Sequence, residues 1–243
     1  MGSVQRISVL LMLIAVIGVQ CTTSVELVIP PCFPTSISTN STGVSYNTTY
    51  QYNSSNKVTS TKSTSTMGNQ TVTVNATFTY DGDGNIVTAS EISSTGSSAT
   101  RNYTYDISHN LTQETYQVDG IAISKSTYQY NSTNQLIKVL YGNGSGSTTS
   151  TSSFTYQTPV ARNPTTVTSS LGSSWAYTYD TKPNPLKVLF VSVQPDNNII
   201  KMTNTSGGSV TTTTYTYQYD SKGFPIARTG SDGETKAYTY FCK

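Results

Sequence analysis

The sequence predicts an all-β chain, an antiparallel meander of about seven to eight repeated β-hairpins curled into a barrel-like or half-barrel sheet. Three observations carry that expectation. An aromatic-x-Tyr motif recurs along the chain, and the first five steps between its second aromatics are 28, 25, 25, 26 and 23 residues. A fixed period of this size marks one supersecondary unit copied many times. Within the motif, aromatics alternate with Thr or Gln, the period of two of a half-buried strand. Past the N-terminal region no segment keeps a 3.6-residue apolar period, so helix is scarce.

Residues 1–21 read as a signal peptide. Arg6 precedes an apolar run from Ile7 to Val19, too short to span a bilayer but suited to the apolar region of a secretory signal. Two processing routes stay open: cleavage near Gln20 to Thr23, or lipidation of Cys21 after cleavage before it. Gly18-Val19-Gln20-Cys21 departs from a lipoprotein signal at Gln20, where a small residue is expected. Residues 22–44 read as an N-terminal extended segment or strand. Within it, Ser24 to Pro30 alternates like a strand and suits addition to a neighbour's sheet edge.

The repeat domain is expected over 45–243. Its motifs are Tyr50-Gln51-Tyr52, Phe78-Thr79-Tyr80, Tyr103-Thr104-Tyr105, Tyr128-Gln129-Tyr130, Phe154-Thr155-Tyr156, Tyr177-Thr178-Tyr179, Tyr217-Gln218-Tyr219 and Tyr238-Thr239-Tyr240. Asp, Asn, Ser and Gly cluster after them, as in Asp81-Gly82-Asp83-Gly84-Asn85 and Asp106-Ile107-Ser108-His109-Asn110. Asp and Asn bond their own backbone, and Gly or Asn tolerates positive φ, so these clusters are turns. The next strand opens on an apolar residue such as Ile86, Leu111, Leu136 or Ile226. The stretch from Leu186 to Met202 breaks the pattern and is expected to pack inside the sheet or cap it.

Ser and Thr make up about a third of the chain, charged residues 11%, and the net charge is +2. Without a basic run there is no footprint for a nucleic-acid partner. Low charge and high polarity could also suit a disordered chain, but 18 Tyr at strand spacing supply large area to bury. Cys32 and Cys242 stand before the first motif and in the last strand, and a bridge between them is expected in an exported chain.

Catalytic residues are not apparent. His109, the one histidine, falls at a turn position, and most Asp residues are turn formers, so neither a general base nor a carboxylate pair stands out. Asp81-Gly82-Asp83-Gly84-Asn85 resembles the start of a calcium loop but has Ile86 and Ile92 where such a loop needs Gly and Glu. No cofactor or metal is therefore expected. Ten Asn-x-Ser/Thr sequons follow the signal region: Asn40, Asn47, Asn53, Asn69, Asn75, Asn102, Asn110, Asn131, Asn143 and Asn204; in a eukaryotic secretory host they would carry glycans. The candidate ligand-binding residues are Tyr103, Tyr105, Tyr128, Tyr130, Trp175, Tyr177 and Tyr179, since aromatic rows either fill a curled sheet or present a binding face.

The turn pattern resembles the YD (Rhs-type) repeat, most closely at Tyr80-Asp81-x-x-Gly84-Asn85-Ile86. Tyr177-Thr178-Tyr179-Asp180 with Asn184-Pro185-Leu186-Lys187, then Asn197-Asn198-Ile199, then Tyr217-Gln218-Tyr219-Asp220 with Lys222-Gly223-Phe224-Pro225, is similar to Bacteroidota exported proteins of unknown function with a porin-like fold. The resemblance implies a curled antiparallel sheet on a cell-surface lipoprotein. A membrane-embedded barrel is not expected, because alternate strand positions are Thr, Ser and Gln rather than lipid-facing apolar residues. The expected role is structural or binding, without catalysis. Copies of the same chain or surface glycans are the expected partners, and any membrane contact is expected through a lipid anchor. A fibre subunit and a carbohydrate-binding module are the alternatives.

Overall fold

The computed structural model describes residues 32–159, 161–188 and 195–243. The expected signal peptide, Cys21 and the strand-like Ser24 to Pro30 lie outside the described residues, as does part of the pattern-breaking stretch. The described residues form sixteen strands: β1 (Cys32–Ser41), β2 (Val44–Tyr52), β3 (Val58–Met67), β4 (Gln70–Tyr80), β5 (Ile86–Ser93), β6 (Ser98–Tyr105), β7 (Leu111–Val118), β8 (Ile121–Tyr130), β9 (Leu136–Asn143), β10 (Thr148–Tyr156), β11 (Pro164–Ser169), β12 (Ser174–Pro183), β13 (Asn197–Ser206), β14 (Ser209–Tyr219), β15 (Pro225–Gly230) and β16 (Thr235–Cys242). Each pairs antiparallel with its neighbours in sequence, and β1 pairs with β16, which closes the sheet into a barrel.

Sixteen strands make eight hairpins, at the top of the expected range. Two sequence boundaries shift. Cys32–Ser41, placed in the extended segment before residue 45, is a wall strand of the barrel. The stretch from Leu186 to Met202 is only partly a cap. Its last residues enter β13 as ordinary wall, while the 3-10 turn Pro185–Val188 lies against β1, away from its own neighbours in the sheet, and so reaches across one mouth. Closure also leaves no unpaired edge among the described strands, so the template for strand donation is missing.

The seam is held three ways. β1 and β16 pair from Cys32↔Cys242 to Asn40↔Thr235. The Cys32–Cys242 disulfide joins their ends, with Cα atoms 4.1 Å apart. Thr239 Oγ1 bonds the hydroxyls of Thr35 and Ser36 at 2.7 and 2.8 Å.

The two mouths are built differently. At the disulfide mouth, Asn53, Asp81, Asp106, Asn131 and Asp220 each accept on Oδ1 the backbone N–H four residues on, at 2.8–3.0 Å. The residue three on from each (Asn56, Gly84, His109, Asn134 and Gly223) takes positive φ, the left-handed region that Gly and Asn enter most easily. Neighbouring turns are stitched together. Asn110 Nδ2 donates to Asn134 Oδ1 at 3.2 Å, and buried Gln135 donates to the carbonyls of Thr158 and Ala161 at 2.9 and 2.7 Å. The opposite mouth has tight turns. Asp119-Gly120 is an example, with positive φ at both residues, the geometry that matches strand twist. Tyr46, Met67, Val72, Ile121, Tyr141 and Leu171 are exposed around that mouth.

Alternation separates the faces. In β6, Arg101, Tyr103 and Tyr105 are half-buried on the lumen side, while Asn102 and Thr104 are exposed outside. Carried around the wall by the strand register, all 18 tyrosines fall on the lumen side. The outer face is largely Thr, Ser, Asn and Gln, as in Thr71, Thr73, Asn75, Thr77 and Thr79 of β4.

Candidate functional site

The lumen is built from one repeated device. The second tyrosine of a motif turns its hydroxyl back onto its own hairpin and donates to the carbonyl near the start of the preceding strand. Tyr52 reaches Pro34, Tyr80 reaches Val58, Tyr105 reaches Ile86 and Tyr130 reaches Leu111, at 2.6, 2.6, 2.7 and 2.9 Å. Tyr156 reaches Leu136, Tyr179 reaches Pro164 and Tyr240 reaches Pro225, at 3.0, 2.8 and 2.7 Å. In the remaining hairpin Tyr219 is diverted to the Asp180 carboxylate, and Tyr217 takes over, donating to Ile199 at 3.1 Å. A strand-end carbonyl that would otherwise be half-dry is thereby satisfied by a buried ring that carries its own donor.

The first aromatic of each motif has a different duty. The hydroxyls of Tyr50, Tyr103 and Tyr177 have no hydrogen-bond partner among the described residues, and none is a buried orphan. They therefore face open lumen. Burial raises Tyr50 to about 12 and, with Glu114 adding to it, Tyr103 to about 12. Tyr128 donates to Glu114 Oε2 at 2.9 Å, and burial followed by that carboxylate pushes its pKa upward.

The repeats diverge most two residues before the first aromatic. The lumen positions there are Thr48, Ala76, Arg101, Ser126, Ser152, Trp175, Tyr215 and Lys236. Small side chains at Ala76 and Ala89 open a cavity of about 460 Å³ between β2 and β7, whose walls include Tyr50, Phe78, Tyr103, Glu91, Arg101 and Glu114. Arg101 is central. Its Nη1 bonds Glu114 at 2.7 Å, its Nε lies 3.4 Å from Glu91, and its guanidinium sits 4.2 Å over the Tyr116 ring. Burial works against its charge, but Glu114 and then Glu91 outweigh burial and raise its pKa. A fixed planar donor between two acceptors, flanked by tyrosine faces and free hydroxyls, can hydrogen-bond a polyhydroxylated ligand while a ring covers its apolar face.

The sequence-predicted aromatics all line the lumen, but in two groups. Tyr103, Tyr105, Tyr128 and Tyr130 lie on β6 and β8, and Trp175, Tyr177 and Tyr179 on β12. Within them Tyr105, Tyr130 and Tyr179 are hydroxyl locks and Tyr103 and Tyr177 have free hydroxyls. Glu91, Arg101, Glu114, Arg228 and Lys236 were missed at sequence level. Their signal was charge at lumen-parity positions of otherwise uncharged strands. The structure divides the sequons. Asn40, Asn47, Asn69, Asn75, Asn102 and Asn143 are exposed. Asn53, Asn110 and Asn131 bond within turns. Asn204 is half-buried and stands opposite Trp175 with its Oδ1 buried. His109 is an exposed turn residue at φ 61°, and Asp81 accepts both the backbone and side-chain nitrogens of Asn85.

No family model and no curated protein matches the chain. Among solved structures it is similar in fold to a porin-like protein from Bacteroides uniformis. The two are 19% identical with a TM-score of 0.62, over 86% of this chain and 98% of that one. A porin-like protein from Bacteroides vulgatus is 11% identical with a TM-score of 0.43, over 87% of this chain and 99% of that one. The first likeness supports a porin-like barrel fold.

Proposed function

We propose that the chain is an exported, non-enzymatic surface protein whose barrel lumen binds a saccharide. The observation that carries this reading is the 460 Å³ cavity with Arg101 held between Glu91 and Glu114 beside the free hydroxyls of Tyr50 and Tyr103. The polar outer wall supports a barrel standing in water rather than in lipid, so membrane contact would come through lipidated Cys21. The YD-type turns serve here to hold one mouth together. A glycan array on the full chain, followed by calorimetry, tests the reading. Ala76→Leu and Ala89→Leu fill the cavity without removing a contact and should weaken binding at least tenfold (first prediction). Absence of glycan binding, or binding that ignores both substitutions, overturns it.

A further inference from the structure

We propose that the lumen wall of β14, β15 and β16 carries an anion subsite in which Arg228 and Lys236 hold a carboxylate or sulfate group of the ligand. This rests on the lumenal saccharide reading and specifies the ligand's charge. Arg228 and Lys236 face each other as register partners on the lumen side. Like charges at facing positions destabilise a sheet, so the fold alone gives no reason for the pair. The two cations share one carboxylate. Glu234 is ion-paired with Arg228, and its Oε1 lies 3.8 Å from Lys236 Nζ. Within ion-pair distance, one positive charge is left in excess.

Among the described residues, the one other carboxylate at this end of the wall is Asp232 of the β15–β16 turn, which lies beside Gly230 and the Tyr215 ring and makes no ion pair with either cation. On the other flank β1 offers Thr39 opposite Lys236 and carries no charged residue. β14 presents Tyr215 and Tyr217, and β16 adds Tyr238. The Arg228 side chain is 14% exposed and its Nε is buried without a protein acceptor. Its guanidinium lies 4.4 Å over the Tyr215 ring, which holds its plane. The Tyr215 hydroxyl has no hydrogen-bond partner among the described residues and adds a neutral donor. The charged group on β5, β6 and β7 has the opposite balance, two carboxylates around Arg101. Of these two charged groups, an acidic ligand group therefore suits the β15–β16 arc.

Burial, and then Arg228, lower the Lys236 pKa to about 8. A bound anion stabilises the ammonium and raises that value. Binding therefore takes up protons near pH 8, and affinity falls as pH rises above it.

The test uses the full chain with galacturonic-acid and galactose oligomers of equal length (second prediction). At low salt and pH 7 the acidic oligomer should bind at least tenfold tighter. Lys236→Met should remove that preference and Lys236→Arg keep it. Neutral binding with no acidic preference, or a preference that survives Lys236→Met, overturns the subsite and leaves the saccharide reading standing. Failure of both oligomers counts against the saccharide reading. Sulfate alone, titrated against the 13Cε signal of Lys236, reads the subsite independently. A shift that saturates supports the subsite, and no shift up to high sulfate overturns it.

Discussion

Two tyrosines separated by one residue do unequal work in this barrel. Tyr105 and Tyr130 spend their hydroxyls on the carbonyls of Ile86 and Leu111, whereas Tyr103 spends none. Tyr105→Phe and Tyr130→Phe should each cost about 1–3 kcal/mol, the penalty for stranding a partly buried acceptor. Tyr103→Phe should leave the denaturant midpoint unchanged. Equal effects at all three positions would remove the division of labour (third prediction). The tyrosines also set a pH limit. Burial raises Tyr50, Tyr103, Tyr130 and Tyr238 from the ordinary 10 to about 12. Below pH 10 both folded and unfolded chains keep these protons and stability is unaffected. Between pH 10 and 12 the unfolded chain loses them first, so stability falls as pH rises. Tyrosinate formation at these four residues should therefore appear together with loss of the β circular-dichroism signal. Any of the four titrating near 10 in an intact fold, read from its own 13Cζ signal, would contradict this (fourth prediction).

At the scale of the element, the hairpin turn explains residues that would otherwise look chemical. His109 occupies the turn position that Asn56, Gly84, Asn134 and Gly223 occupy in other repeats, and all five have positive φ. His109→Asn should be neutral or slightly stabilising. His109→Val should cost about 1–2 kcal/mol, because a β-branched side chain meets the following carbonyl in this conformation. Thermal melts of the two variants distinguish them, and similar losses in both would mean that the imidazole itself matters (fifth prediction). The turn was legible in the sequence because its Asx residue, its left-handed residue and the next apolar residue keep fixed offsets. The stitching between turns was not. Asn110 to Asn134 and Gln135 to Thr158 are contacts between repeats, set by how far successive hairpins are staggered.

For the whole molecule, closure changes what the sheet can do. A closed sheet has no edge for another strand, and its concave side becomes a lumen instead of a packed core. The few fully buried apolar residues, such as Val58, Leu111, Leu136 and Pro225, include several that open strands at the disulfide mouth. The rest of the lumen is half-buried. Each hairpin is locked to itself by a tyrosine, and the seam adds the Cys32–Cys242 bridge across 210 residues of chain. A bridge closing so long a loop stabilises by up to about 5 kcal/mol on the chain-entropy account.

The sequence by itself determined the unit and its faces. The motif period counted the hairpins, the alternation put the two aromatics of each motif on one side of their strand, and the Asx clusters placed the turns, all because these are local rules of strand and turn. It also pointed to Cys32 and Cys242 as partners, since they flank the array. Tertiary structure decided whether the sheet closed, and that depends on accumulated twist and stagger over sixteen strands, which no single repeat contains. It also decided the site. Arg101 meets Glu91 and Glu114, and Arg228 meets Lys236, only across strands in register. Individual charges scattered among Thr and Ser carry no signal until register brings them to one wall.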